Sequence, residues 1–217
     1  THCPLYQIYG LTEVAGGLAL PNINEKPVLG SSGYLMDTTD VRVDTQSTLA
    51  NAVGEICVRG DMVFSGYLGE SESPIKDGWL RTGDLGYIDK NSNLFITGRA
   101  KDIIIRSGHN IDPAVIESCL DNHPDVSMSA AVAKPDAYAG ELPVAYVQLH
   151  PNTDITEKEL RDYAMANINE RPACPKSIHI VAALPVTAVG KIHKPTLRAM
   201  ATNELIEEEL KNFIKKN

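Results

Sequence analysis

The chain has 217 residues, 43% hydrophobic and 22% charged. These values sit near a globular average, excluding a disordered or fibrous protein and fitting one large domain or two small ones. Lys and Arg number 20 against 28 Asp and Glu, a net charge of −8, which argues against a nucleic-acid binder relying on a global basic field.

The longest apolar stretches are short, strand-like pieces such as Ile103–Ile105, so no transmembrane helix is expected. The first residue is Thr, with no basic, apolar leader behind it, so no targeting signal is visible and the chain reads as a piece of something longer. Cys3, Cys57, Cys119 and Cys174 lie far apart with no CxxC pair. They read as buried small hydrophobes in a reducing cytoplasm, not as a disulfide or zinc framework. Basic residues are locally grouped, as Arg99, Lys101 and Arg106 and again as Lys191, Lys194 and Arg198, an arrangement suited to a small anionic ligand.

Up to about residue 98 the chain is strand-rich and punctuated by Gly. Runs such as Leu5–Ile8, Val41–Val43, Glu55–Arg59 and Leu94–Thr97 carry strand character, and their spacing predicts an antiparallel sheet or small barrel with no long amphipathic helix. From residue 99 strands and helices alternate. Lys101–Ser107 reads as a strand and Gly108–Asn110 as a turn. Asp112 reads as an N-cap with Pro113 at the first helical position, and Ile116, Cys119 and Leu120 follow at helical spacing. Strands follow over Met128–Ala133 and Pro143–Leu149. A capping box at Thr156 and Glu159 opens a second helix, and Ser177–Ala182 is a further strand. A last helix begins near Pro195, with Ile206, Leu210, Phe213 and Ile214 as an apolar stripe. The fold class is therefore mixed α/β (α+β), with residues 1–98 barrel-like and residues 99–217 forming a small second domain.

Four clusters could carry chemistry. Tyr9-Gly10-Leu11-Thr12-Glu13 puts a hydroxyl beside a carboxylate at a glycine turn, able to hold a phosphate and its magnesium through hard oxygens, or simply to start a helix with Thr12 as cap. In Thr82-Gly83-Asp84-Leu85-Gly86 the carboxylate lies between two glycines and is expected at a tight turn. It either accepts from a vicinal diol such as a ribose or closes an Asx-turn. The run Gly98–Asp102, continuing to Gly108–Pro113 and Glu117, is both a domain junction and a charged cluster. Arg99 there offers a rigid fork of donors, unless the segment is a solvated linker; His109 reads as a turn residue. Finally, Lys191 follows Gly190 on the loop Leu184–Lys194, where an ammonium could stabilise charge growing on a phosphoryl oxygen or merely decorate a basic surface.

In this order the clusters resemble the later motifs of the adenylate-forming superfamily, which includes acyl-CoA synthetases, luciferases and peptide-synthetase adenylation domains. Its patterns YGxTE, TGD, GRxKDxIxxxGxNIxPxxIE and PxTxxGKIxKxxLR match Tyr9–Glu13, Thr82–Asp84, Gly98–Glu117 and Pro185–Arg198. The connecting GEIxxxGxxxxxGY segment matches Gly54-Glu55-Ile56, Gly60 and Gly66-Tyr67. The family's phosphate loop and most of its acyl pocket precede the first of these motifs, so the chain resembles a C-terminal portion, expected to be inactive alone.

For the full-length protein the resemblance implies an acid–thiol ligase. A carboxylic acid, fatty or otherwise apolar, would attack MgATP to give acyl-AMP, and CoA would then displace AMP. Tyr9 would flank the adenine, Thr12 contact phosphate and Glu13 help hold Mg2+. Asp84 would take the ribose hydroxyls with Arg99, and Lys191 would serve adenylation. Lys101 would be the hinge about which the second domain rotates, exchanging Lys191 for the Ser107-Gly108 hairpin at the pantetheine arm of CoA. Some relatives place an Arg just after that glycine against phosphate, where this chain has His109 and Asn110. A carrier-protein acceptor, a luciferase and a stand-alone nucleotide- or partner-binding module are the alternatives. Apolar surface around Leu5 and Ile8 would favour self-association.

Overall fold

The computed structural model describes residues 3–69 and 73–216. The chain divides into two compact units, Thr1–Lys101 and Asp102–Asn217.

In the first unit, β1 (Tyr9–Leu11), β2 (Gly16–Leu20) and β3 (Tyr34–Leu35) form a three-stranded antiparallel sheet. A single 3-10 turn, Thr12–Val14, joins β1 to β2. The larger sheet contains β4 (Asp40–Asp44), β5 (Gly54–Arg59), β6 (Ile75–Lys76), β7 (Trp79–Ile88) and β8 (Leu94–Arg99), all antiparallel around the central β7. Val14, Leu18, Ile56, Val58, Leu80 and Leu94 make its buried core. The antiparallel, glycine-punctuated character matches the sequence expectation, but among the described residues the sheets stay open and no barrel closes. Leu5 and Ile8 lie in no strand and are exposed.

In the second unit, β9 (Ile104–Arg106) and β10 (His109–Ile111) form a hairpin ahead of α1 (Pro113–Asp121). Next come β11 (Val126–Asp136), β12 (Gly140–Leu149), α2 (Glu157–Asn167), β13 (Ser177–Ile180) and α3 (Lys194–Lys216). β11 pairs with β12 along its length, and β13 lies parallel to β12 over Val144–Val147. Successive strand residues face opposite sides. Ala131, Ala145 and Val147 therefore meet Ile116, Leu120, Leu160 and Ala164 of α1 and α2. Ala130, Val132, Val144 and Tyr146 meet Leu197 and Ala201 of α3. Among the described residues no helix is long and apolar enough to cross a membrane.

Local signals placed the helix starts well. Asp112 accepts the Ala114 N–H at 2.9 Å with Pro113 behind it, and the Thr156–Glu159 capping box is complete. Three expectations need correction. Only Ile104–Arg106 of the run Lys101–Ser107 is strand, because Ala100–Asp102 winds into a 3-10 turn. His109 opens a strand instead of turning the chain. Of the cysteines only Cys57 is buried; Cys119 and Cys174 are half-buried and Cys3 is exposed. The apolar stripe of α3 from Ile206 to Ile214 is exposed.

Candidate functional site

The site in the first unit is built on an irregularity in β7. Arg81 pairs with Cys57 and Leu85 with Glu55, so Thr82, Gly83 and Asp84 stand opposite the single Ile56. This is a bulge, which re-aims side chains within a continuing strand. Gly83 takes φ +73 there, a left-handed conformation that favours glycine. Side chains hold the displaced backbone: the Thr82 hydroxyl donates to the Ile56 carbonyl at 2.8 Å and accepts the Asp84 N–H at 3.1 Å. Glu55 accepts the Gly83 N–H at 3.1 Å and pairs with Arg81, which also holds Asp44 at 2.7 Å. The sequence expectation of a tight turn at Asp84 is therefore wrong: the flanking glycines serve a bulge inside a ten-residue strand.

The bulge delivers the Asp84 carboxylate, only 8% exposed, between two donors. Tyr9 donates its hydroxyl to Oδ2 at 2.7 Å, and Arg99, directly opposite on β8, donates Nε to Oδ1 at 2.8 Å. Three residues widely separated in sequence thus form one hydrogen-bonded cluster. Burial, and after it the bond to Asp84, pushes the Tyr9 phenol above its ordinary value. Arg99 is half exposed and lines an open cleft of about 310 Å3 with Leu11, Glu13, Tyr67, Arg81 and Thr82.

Glu13 sits in the 3-10 turn after β1, and its carbonyl accepts the Phe64 N–H at 2.8 Å. Its carboxylate accepts the Tyr67 hydroxyl at 2.6 Å. That bond first, and the backbone next, hold Glu13 below the usual carboxylate range, so it is ionised. Thr12 caps nothing; the cap position is Leu11, which leaves the Thr12 side chain exposed beside Glu13. Among the described residues no cluster of three or more His, Cys, Asp or Glu could hold a metal alone. A single ionised carboxylate fits Mg2+ where phosphates supply the remaining oxygens.

The other candidates lie in the second unit. Lys191 is exposed on a small hairpin loop, where the Thr187 N–H reaches the Lys191 carbonyl at 2.7 Å and Val186 bridges Ile192. Its apparent basic companions are otherwise engaged. Lys194 pairs with Glu117 at 2.7 Å, and Arg198, one turn along α3, pairs with Asp102. Glu117 in turn accepts the Ala131 N–H at 2.8 Å. These motif residues therefore tie α3 to α1 and to the start of the unit, leaving Lys191 as the exposed one. Lys101 is exposed in the 3-10 turn at the division between units. Ser107 and Gly108 form the two-residue turn between β9 and β10, with φ +49 and +84, the pattern of a type I′ hairpin. A Cβ on Gly108 would meet nothing within 4 Å, so the backbone at this turn is open to approach.

Sequence reasoning missed Tyr67, Thr82 and Glu55. Each stood inside a quoted motif, but its partner is distant in sequence and no local spacing announces it.

The N-terminal part, residues 1–68, matches the model of the AMP-binding enzyme, and residues 115–191 match that of the AMP-binding enzyme C-terminal domain. The chain belongs to the AMP-binding enzyme family. It is 48% identical over 201 residues to marinolic acid–CoA ligase of Pseudoalteromonas sp. (strain SANK 73390), covering 88% of this chain and 31% of that protein. It is 37% identical over 207 residues to 4-coumarate:CoA ligase 1 of Petunia hybrida, covering 90% and 38%. The ATP-bound MatB structure from Rhodopseudomonas palustris superposes with a TM-score of 0.81 at 31% identity, covering 89% of this chain and 40% of that one. The chain thus spans about a third of the length of the curated relatives it matches. Both of these relatives are CoA ligases by name, and residues 115–191 of the chain carry the family's C-terminal domain.

Proposed function

We propose that the full-length protein carrying this chain joins a carboxylic acid to CoA through an acyl-adenylate. The carboxylate attacks the α-phosphorus of ATP and expels pyrophosphate; the thiol then attacks the acyl carbon and expels AMP. The observation that carries this reading is the buried Asp84 carboxylate, clamped by Tyr9 and Arg99 beside the cleft. Its oxygens are held by these donors, and because a carboxylate oxygen can accept more than one hydrogen bond, the pair could accept two neighbouring ribose hydroxyls from a fixed position. Fixing the acceptor before ligand arrives lowers the ordering cost of binding.

Tyr9, anchored by its hydroxyl, presents its ring edge or face to the base. Arg99, which lines the cleft, would lie against the sugar or phosphate. The exposed Thr12 hydroxyl serves a phosphate oxygen, and Glu13 with the nucleotide phosphates would hold Mg2+. That ion would neutralise charge on the departing pyrophosphate. Lys191 acts at the α-phosphoryl oxygens, where negative charge peaks. Its exposure on a loop of a separate unit suits a group that visits the site for one step and leaves for the other, with rotation about Lys101. Ser107 and Gly108 then accompany the pantetheine arm. The 48% identity to a marinolic acid–CoA ligase supports CoA as acceptor over a carrier protein; the acid we propose is fatty or otherwise apolar. The chain alone, about a third of such an enzyme, is inactive.

The test is acid-dependent ATP–pyrophosphate exchange by the full-length protein and its Lys191→Ala variant over a panel of carboxylic acids. Exchange with particular acids that is lost in the variant supports the reading and identifies the acid. Exchange untouched by the substitution removes Lys191 from the adenylation step. A folded protein that exchanges with no acid points instead to a nucleotide-binding module.

A further inference from the structure

Lys191 sits on a loop that the hydrophobic core does not hold. Between Leu184 and Leu197 no residue is buried, and Val186 and Val189 are exposed. The tip is instead a small polar hairpin. The Thr187 N–H donates to the Lys191 carbonyl at 2.7 Å, the Gly190 N–H to the Thr187 carbonyl at 2.9 Å, and the Lys191 N–H to the Thr187 hydroxyl at 3.2 Å. At its base the His193 N–H donates to the Pro185 carbonyl at 2.8 Å. Two legs carry this hairpin. The first ends at buried Leu184, whose N–H donates to the side chain of Gln148 in β12 at 3.1 Å. The second ends at Lys194, the first residue of α3. Its side chain is 19% exposed, and Nζ lies 2.7 Å from Glu117 Oε1. The same oxygen accepts the Ala131 N–H at 2.8 Å, and the Glu117 carbonyl accepts the Ser129 hydroxyl at 3.3 Å. Glu117 is thus fastened to β11, and its neighbours on α1, Ile116 and Leu120, are fully buried.

We infer that Glu117 is a positioning residue for adenylation: through Lys194 it fixes the second leg of the Lys191 loop to the α1–β11 body of the unit. The inference rests on the ligase reading and gives a residue that touches no nucleotide a part in one half-reaction only. An ammonium lowers a phosphoryl-transfer barrier when its place is set before charge develops. A segment without buried side chains keeps much of its backbone freedom unless polar tethers remove it. The Leu184 leg is held by packing, whereas the Lys194 leg ends on a half-buried, charge-assisted contact. With both legs held, the loop moves as part of the unit, and rotation delivers Lys191 without a further search. Thioester formation uses the Ser107-Gly108 turn and not this loop, so it does not depend on the tether.

The test uses the full-length protein and reads the two half-reactions separately: acid-dependent ATP–pyrophosphate exchange, and conversion of supplied acyl-adenylate to acyl-CoA. Glu117→Gln keeps an oxygen for the Ala131 N–H but removes the charge that holds Lys194. Exchange should fall by on the order of ten-fold, with acyl-CoA formation from the adenylate unchanged. Lys194→Met should give the same loss, and the double variant no more than either alone, because both act through one contact. In the 217-residue chain, Glu117→Gln should also speed amide hydrogen exchange at Thr187 and His193 while β11 and β12 keep their protection. Exchange activity indifferent to Glu117→Gln, equal losses in both half-reactions, losses that multiply in the double variant, or unaltered loop protection would each overturn the assignment. Wild-type exchange that Lys191→Ala abolishes tests the ligase reading independently, so its failure is distinguishable from failure of the tether.

Discussion

Tyr9→Phe isolates the Asp84 clamp, because it removes one hydroxyl and keeps the ring. The lost bond, 2.7 Å from phenol to carboxylate, is charge-assisted, a class worth roughly 1.5–3 kcal/mol. Asp84 is 8% exposed, so water replaces the hydroxyl poorly. Arg99 remains on the other oxygen but is 50% exposed, and solvent screens its compensation. The expected loss is about 2 kcal/mol, which at a typical urea slope lowers the midpoint by on the order of 1 M. Two units make a single global transition a poor readout. The only Trp, Trp79, lies in the same strand as Asp84, with Arg42 and Arg59 over its ring at 4.3 and 4.6 Å, so its fluorescence reports the first unit selectively. The phenol adds a pH signature. Burial and Asp84 raise the folded Tyr9 pKa above its unfolded value near 10. Its neutral form therefore contributes stability that is complete below pH about 10 and is lost as pH rises beyond it. The gap between wild type and variant should narrow above pH 10. A midpoint shift worth less than about 0.5 kcal/mol, the range of an ordinary surface change, would show that Asp84 does not depend on the hydroxyl.

Tyr67→Phe should return the Glu13 pKa upward towards the ordinary carboxylate value, since the Tyr67 hydroxyl is the largest cause of its depression. Side-chain carboxyl 13C titration reads this directly, and an unmoved Glu13 titration would reject Tyr67 as its holder. Because the folded Glu13 pKa is lowered, its stabilisation is present above the unfolded pKa and fades as pH falls through the folded value; the variant should lose this acid-side slope. Gly108→Ala separates space from strain. A Cβ there meets nothing within 4 Å, yet φ is +84, so the substitution should destabilise the hairpin by about 1 kcal/mol through backbone alone. Faster amide hydrogen exchange in β9–β10, with β11–β12 unchanged, is the expected result; unaltered hairpin protection would mean the turn does not need glycine.

What was legible in the sequence follows the range over which each feature is determined. The Asp112 cap and the Thr156–Glu159 box each close within three residues, so spacing alone revealed them. The strands at Met128–Ala133 and Pro143–Leu149 were legible as elements, but which of their residues meet α1 and α2 and which meet α3 is set by packing. Asp84 failed this rule. Two glycines around a carboxylate look like a turn, but what keeps Gly83 inside a strand is the neighbouring strand β5, through Glu55 and the carbonyl of Ile56, which no local window contains. The basic run Lys191, Lys194 and Arg198 failed in the opposite sense. Closeness in sequence suggested one anion site, whereas α3 places Lys194 and Arg198 one turn apart, facing Glu117 and Asp102. A motif string therefore mixes residues that build the fold with residues that the fold presents, and sequence spacing does not distinguish them. Satisfaction does. Lys194 and Arg198 have their charges met by carboxylates, while the Lys191 side chain is exposed on its loop. Which of these cations faces solvent is thus decided by their neighbours in space, not by where cations are densest in the sequence.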